Sequence, residues 1–184
     1  TDILVGNNGI NNNGSKKATL SLLRNVGSKY HPAFEVINDD YLNFSENEEN
    51  YLYPAIGDLD NDGDDDLLLG LQNGKVLYLN NKAGANKPYD FLISSAKFEN
   101  IDVGNYAAPV LFDVNGDSSI DLTIGEQNGS LFYYENQNNI GYDYSIEIKN
   151  FGGISTQNYS DGIFFGYSTP YFFKEDDKTH LLVG

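Results

Sequence analysis

Asp58-Leu59-Asp60-Asn61-Asp62-Gly63-Asp64-Asp65-Asp66 decides how the chain is read, because Asp113-Val114-Asn115-Gly116-Asp117-Ser118-Ser119-Ile120-Asp121 repeats its spacing. With each opening Asp as position 1, oxygen-bearing side chains fall at positions 1, 3, 5 and 9 of both stretches. That spacing suits a hard divalent cation, which takes about six to eight oxygens at about 2.3–2.6 Å. Six of the nine residues in the first stretch are Asp. Such closely spaced like charges repel strongly unless a counter-ion lies among them.

The flanks repeat too. Tyr53-Pro54-Ala55-Ile56-Gly57 before the first stretch matches Ala108-Pro109-Val110-Leu111-Phe112 before the second. After each comes an apolar run ending in Gly, Leu67-Leu68-Leu69-Gly70 and Leu122-Thr123-Ile124-Gly125. Then follow Gln72-Asn73-Gly74 and Gln127-Asn128-Gly129. Asn-Gly between apolar runs predicts a type I′ hairpin, because both residues tolerate positive φ. The runs Val76–Asn81 and Leu131–Asn136 supply another strand, and Phe34–Ile37, Tyr89–Ile93 and Tyr144–Ile148 read as spacer strands. Weaker copies stand at both ends. Asp2–Gly6 with Leu20–Asn25 reproduces the second half of the unit, and Thr169–Phe172 with Leu181–Gly184 the first half. The marker glycines Gly6, Gly70, Gly125 and Gly184 are 64, 55 and 59 residues apart.

A period of this length with four short strands, and no helical periodicity, predicts an all-β protein made of β-propeller blades of four antiparallel strands. The expected organisation is a partial blade over 1–48, blades with calcium loops over 49–103 and 104–160, and a partial, metal-free blade over 161–184. A closed ring takes about four to eight blades. Two whole and two partial blades are therefore read as a segment of a larger propeller, for example a seven-bladed one, or as a partner for associated chains that close the ring.

At these residues the chain resembles the FG-GAP/VCBS repeat family, the calcium-loop repeats of propellers like that of the integrin α-subunit. The match is carried by Tyr53–Asn81 and Asn105–Asn136. An EF-hand, which shares the Asp-x-Asp-x-Asp-Gly pattern, needs a Glu at position 12, where this chain has Leu69 and Ile124. The resemblance implies two Ca2+ sites. In the first, Asp58, Asp60, Asp62 and Asp66 offer carboxylates and Asp64 its carbonyl. In the second the set is Asp113, Asn115, Asp117 and Asp121, with Ser119 through its carbonyl. Gly63 is expected in the left-handed turn. Its counterpart Ser118 meets a steric cost there, and the second set has one carboxylate fewer, so the first loop is expected to bind more tightly. In the last copy Lys174 stands at the first ligand position, where it is read as compensating Asp176 and Asp177.

Composition narrows the function. The 184 residues carry a net charge of −16, with 11 Lys and Arg against 27 Asp and Glu. Nucleic acid is a poor partner for such a chain. Cys and Met are both absent, so no disulfide framework exists, and the lack of an initiator Met suggests a processed or excised chain. No apolar run approaches the ~20 residues of a membrane span, and the chain is expected to be soluble.

Little suggests catalysis. The two histidines, His31 and His180, lie 149 residues apart. No Gly-x-Ser-x-Gly elbow, P-loop or dinucleotide fingerprint occurs. A carboxylate pair for glycoside chemistry would have to be drawn from acids already assigned to ions. Sequons occur at Asn13, Asn43, Asn128 and Asn158, as chance allows in so Asn-rich a chain. Tyr51, Tyr53 and Tyr106 are read as lying just ahead of the acidic loops, where an exposed ring could stack on a sugar; packing between blades is the plainer reading.

The expected function is a non-enzymatic, calcium-binding, secreted or cell-surface module for adhesion, recognition or scaffolding, with an unknown protein or glycan ligand. The alternative is a carbohydrate-binding propeller or an accessory part of a secreted polysaccharide-degrading enzyme. The Asn, Tyr, Asp and Lys bias resembles secreted bacterial repeat proteins, including those exported by a type IX-like route.

Overall fold

The structure is a computed structural model that describes residues 2–12, 15–47, 49–84, 87–93, 98, 100–137, 143–157 and 165–184. The sequons at Asn13 and Asn158 lie outside the described residues. The chain divides into two compact units, Thr1–Pro54 and Ala55–Gly184.

The protein is all-β, with antiparallel sheets that follow one another along the chain. In the first unit β1 (Ile3–Gly6), β4 (Leu20–Asn25) and β5 (Phe34–Asn38) form a three-stranded sheet. β2 (Ile10–Asn12) and β3 (Ser15–Lys17) make a separate hairpin. That hairpin is an insertion not anticipated from the sequence. It occupies the place of the short turn in the other repeats, which accounts for the longer first spacing between marker glycines.

β6 (Leu52–Gly57), which runs across the division, β7 (Asp66–Leu71), β8 (Val76–Asn81) and β9 (Phe91–Ile93) form a four-stranded sheet. β10 (Ala108–Phe112), β11 (Asp121–Gly125), β12 (Leu131–Glu135) and β13 (Ile146–Lys149) form another in the same order. β14 (Pro170–Glu175) and β15 (Lys178–Val183) pair as a two-stranded hairpin. The second strands β7 and β11 are buried along their whole length, and the edge strand β13 is exposed throughout. Continuous apolar runs are what a strand covered on both faces requires.

The main core of the second unit lies between the two four-stranded sheets. Leu59, Leu68 and Tyr78 from one meet Leu122, Ile124 and Tyr134 from the other, with Phe98, Ile101 and Val103 between them. Leu59, at position 2 of the first acidic stretch, is 1 % exposed and so pins that loop to the core.

The marker glycines have a common task. A Cβ on Gly70 would lie 2.0 Å from the Ala107 carbonyl oxygen, one on Gly125 2.0 Å from that of Ser168, and one on Gly6 2.0 Å from that of Leu52. In each case the contacted residue stands two before the repeat's proline, Pro109, Pro170 or Pro54. The residue after each glycine then accepts a backbone bond from the same place: Leu71 O from Ala107 N, Glu126 O from Ser168 N, Asn7 O from Leu52 N. One backbone approach thus recurs three times, close enough to exclude any side chain.

The turns differ from the sequence reading. Gly74 and Gly129 have positive φ, but Asn73 and Asn128 are not among the residues that do. Gly74 N donates to Leu71 O and Leu71 N to Lys75 O. This is a three-residue loop, a type I turn closed by a left-handed Gly, rather than a two-residue type I′ turn. The type I′ geometry appears instead between β14 and β15, where Asp176 and Asp177 have φ of 48° and 58°. The last copy has exchanged its acidic loop for a tight hairpin. Tyr106 also lies elsewhere than expected. It precedes β10, whose far end carries the acidic loop, and its N–H donates to Gln72 O beside the other hairpin end.

Candidate metal centre

Both acidic stretches connect the first and second strands of a four-stranded sheet, β6 to β7 and β10 to β11. Each begins at a strand end, and its last Asp is the first residue of the next strand. Backbone turns inside them are left-handed twice. Asn61 and Gly63 have φ of 57° and 91° in the first, and Gly116 and Ser118 have φ of 82° and 73° in the second. Position 6 behaves as read, and position 4 joins it. Each loop spends its single Gly on a different one of the two.

The closing carboxylates are built identically. Asp66 Oδ2 accepts from Leu59 N at 3.2 Å and from the Tyr78 hydroxyl at 3.0 Å, and Oδ1 accepts from Asn81 N at 2.8 Å. Asp121 Oδ2 accepts from Val114 N and the Tyr133 hydroxyl, both at 3.0 Å, and Oδ1 accepts from Asn136 N at 3.0 Å. Asn81 and Asn136 in turn accept from Asp90 N and Asp143 N. One carboxylate per repeat therefore ties the loop to the third strand and to the chain beyond it. The sequence reading puts Tyr78, Asn81, Tyr133 and Asn136 on a strand and gives them no part in the loops. Their signal was Tyr78 and Asn81 recurring as Tyr133 and Asn136 at one spacing from the closing Asp.

The openings differ. In the first loop, Asp58 Oδ1 and Oδ2 accept from Asp62 N and Gly63 N at 3.1 and 3.0 Å. Asp62 turns to the N–H of Asp64. Asp60 Oδ2 accepts from the Asn80 amide at 2.7 Å, while its Oδ1 is buried with no hydrogen-bond partner. Oxygens of Asp58, Asp60 and Asp66 gather within 4.8 Å of one another. Two oxygens on one calcium ion at about 2.4 Å can be no farther apart than about 4.8 Å. Like charges at that spacing repel by about 3 kcal/mol per pair at an effective dielectric of about 20. Burial pushes the Asp66 carboxyl up to about 6, helped by the charge of Asp60, against the pull of its three donors. Asp58 is raised too, chiefly by burial. A gathered donor set with an orphaned buried oxygen fits a hard cation. Asp58, Asp60 and Asp66 would hold it. Asp62 and Asp64 lie outside that group of three.

The second loop is closed by its own groups. Asp113 accepts from Gly116 N at 2.7 Å and Ser118 N at 3.3 Å, and Lys174 Nζ stands 4.0 Å from its Oδ2. Lys174 thus faces Asp113, not its own neighbours Asp176 and Asp177 as expected. The Asn115 amide donates to Asp117 at 3.0 Å and to Glu135 Oε1 at 3.5 Å. Asp117 also accepts from Ser119 N at 2.8 Å, and this bond, with that of Asn115, holds its carboxyl below the usual range. The Tyr133 phenol is held above its usual range by burial, by its bond to Asp121 and by the charges of Asp121, Glu135 and Asp117. Among the described residues, Asp113, Asp117 and Asp121 do not gather as the first set does.

Among the described residues no helix is long and apolar enough to cross a membrane. Comparison with protein-family models, curated proteins and solved structures gave no match. Fold and site together define an all-β protein of successive antiparallel sheets, with a carboxylate cluster at one interstrand loop.

Proposed function

We propose that the chain is a calcium-stabilised, non-enzymatic segment of a β-propeller of FG-GAP/VCBS type, serving adhesion, recognition or scaffolding outside the cell. The observation that carries the reading is the Asp58, Asp60 and Asp66 cluster with its buried, partnerless Asp60 oxygen. Support for blades comes from two sheets of identical strand order and from the glycine-to-carbonyl approach repeated along the chain.

On this reading Asp58, Asp60 and Asp66 bind calcium, whose charge offsets their repulsion. The ion pins the β6–β7 connection, while Leu59 holds the loop to the core. The second loop takes calcium more weakly. A ligand binding only the folded state at about 100-fold over its Kd adds about 2.7 kcal/mol. Calcium should therefore raise the melting temperature by several degrees, and EGTA should return it to the starting value. Identical melting curves in millimolar calcium and in EGTA would falsify the role assigned to the ion.

A second reading, a glycan-binding propeller, is favoured by one feature. Phe165 and Tyr167 are 50 % and 48 % exposed, and Tyr167 meets Tyr106 edge-on at 5.5 Å. A glycan array with the intact chain separates the two readings.

A further inference from the structure

One strand position outside the loops recurs beside both of them. Asn80 on β8 and Glu135 on β12 each stand two residues after the tyrosine bonded to the closing Asp. Asn80 is 6 % exposed. Its Nδ2 donates to Asp60 Oδ2 at 2.7 Å and to the Tyr78 hydroxyl oxygen at 2.8 Å. Its Oδ1 is buried without a partner, like Oδ1 of Asp60. Each desolvated acceptor carries a cost, and a cation coordinated by Oδ1 of Asp60 would relieve that one. In the next repeat Glu135 Oε1 accepts from the Asn115 amide at 3.5 Å.

Loop position 3 and this strand position thus hold one acid and one amide in each repeat, in opposite order: Asp60 with Asn80, Asn115 with Glu135. We propose that the strand residue belongs to each calcium site, and that the acid–amide pair has been exchanged between the loops with its chemistry kept. At the first site Asn80 is a positioning residue. Its amide holds one oxygen of Asp60 and leaves the other for the ion. At the second site Glu135 supplies the carboxylate that Asn115 lacks. The sites then match in charge: Asp58, Asp60, Asp62 and Asp66 against Asp113, Asp117, Asp121 and Glu135. The carboxylate deficit read from the loop alone disappears. What still weakens the second site is the Lys174 cation beside Asp113 and the strained Ser118.

This inference rests on the calcium reading, and its test separates the two. Calcium is titrated calorimetrically into the full chain, with melting in EGTA as a metal-free check of folding. Glu135→Gln, a conservative change at a partly exposed side chain, should weaken the second site about tenfold and leave the first unchanged. Asp60→Asn should weaken the first site at least about tenfold, and adding Asn80→Asp should restore it to within about threefold, a strongly non-additive cycle. An unchanged second-site Kd in Glu135→Gln, or no recovery in the double variant, overturns the pairing while two ions still bind the parent chain. A parent chain that binds no calcium at millimolar concentration sinks both.

Discussion

The two acidic loops share a backbone path and a closing carboxylate, yet they satisfy their charges differently. The 58–66 loop gathers three carboxylates and leaves a buried oxygen of Asp60 without a donor. The 113–121 loop bonds its own amide to Asp117 and draws Lys174 toward Asp113. The lesson is that a spacing specifies a loop, whereas the groups that face it decide how its charges are answered.

The sharpest test of the shared architecture is removal of the closing acid. Asp66→Ala and Asp121→Ala each leave a tyrosine hydroxyl and two backbone N–H groups without their acceptor. Both should cost about 3–5 kcal/mol by denaturant unfolding in EGTA. If one costs under about 1 kcal/mol, the equivalence of the two nodes is broken.

The contrast between the openings is tested by calcium. Asp58→Ala should remove most of the calcium-dependent gain in melting temperature, and Asp113→Ala only a minor part, measured by calorimetry with and without EGTA. The reverse ranking would undo the assignment of the stronger site.

Acidity sharpens this further. The folded Asp66 carboxyl titrates at about 6, above its ordinary value of 3.8, so the folded state binds more protons between those values. Metal-free stability from this group is therefore greatest at low pH and declines as pH rises through about 6. Melting in EGTA should show that decline between about pH 4 and 6, levelling off above it, and Asp66→Asn should flatten it. Calcium needs the ionised carboxylate, so its stabilisation should grow over the same range.

A smaller effect is expected from the exchanged glycines. Ser118→Gly should stabilise the second loop by about 1 kcal/mol by relieving a left-handed residue, and Gly63→Ser should destabilise the first by a similar amount. Equal melting temperatures for parent and variants would show that φ at position 6 carries no strain. Smallest is Lys174→Ala. Its side chain is 56 % exposed at 4.0 Å from Asp113, so stability should move by less than about 0.5 kcal/mol. Calcium affinity of the second loop should still rise about two- to threefold at low salt, with the difference fading as salt screens it.

Strand content was legible because apolar runs, glycines and acidic loops recur in one order. The strands expected from Val76–Asn81, Leu131–Asn136 and the spacers are present as β8, β12, β5, β9 and β13, each paired with its neighbour. The first insertion was not legible, because Asn- and Lys-rich residues between Gly6 and Leu20 carry no apolar alternation. Turn type was misread because Asn-Gly signals left-handed backbone without fixing loop length, and the Leu71–Lys75 closing pair sets that length here. At the loops, the positions of the oxygen-bearing side chains could be written from spacing alone. The partners on the third strand could not, since residues 15 to 20 positions away meet the loop only once the sheet has formed.

The order of residues alone was enough for an all-β chain with two acidic loops of one spacing, because alternation, recurrence and charge are local properties. Which oxygens gather, which are already hydrogen-bonded and which acid Lys174 faces emerged with the folded chain. Those outcomes depend on distances of a few ångströms between segments far apart in the chain. Coulomb and hydrogen-bond energies vary steeply on that scale.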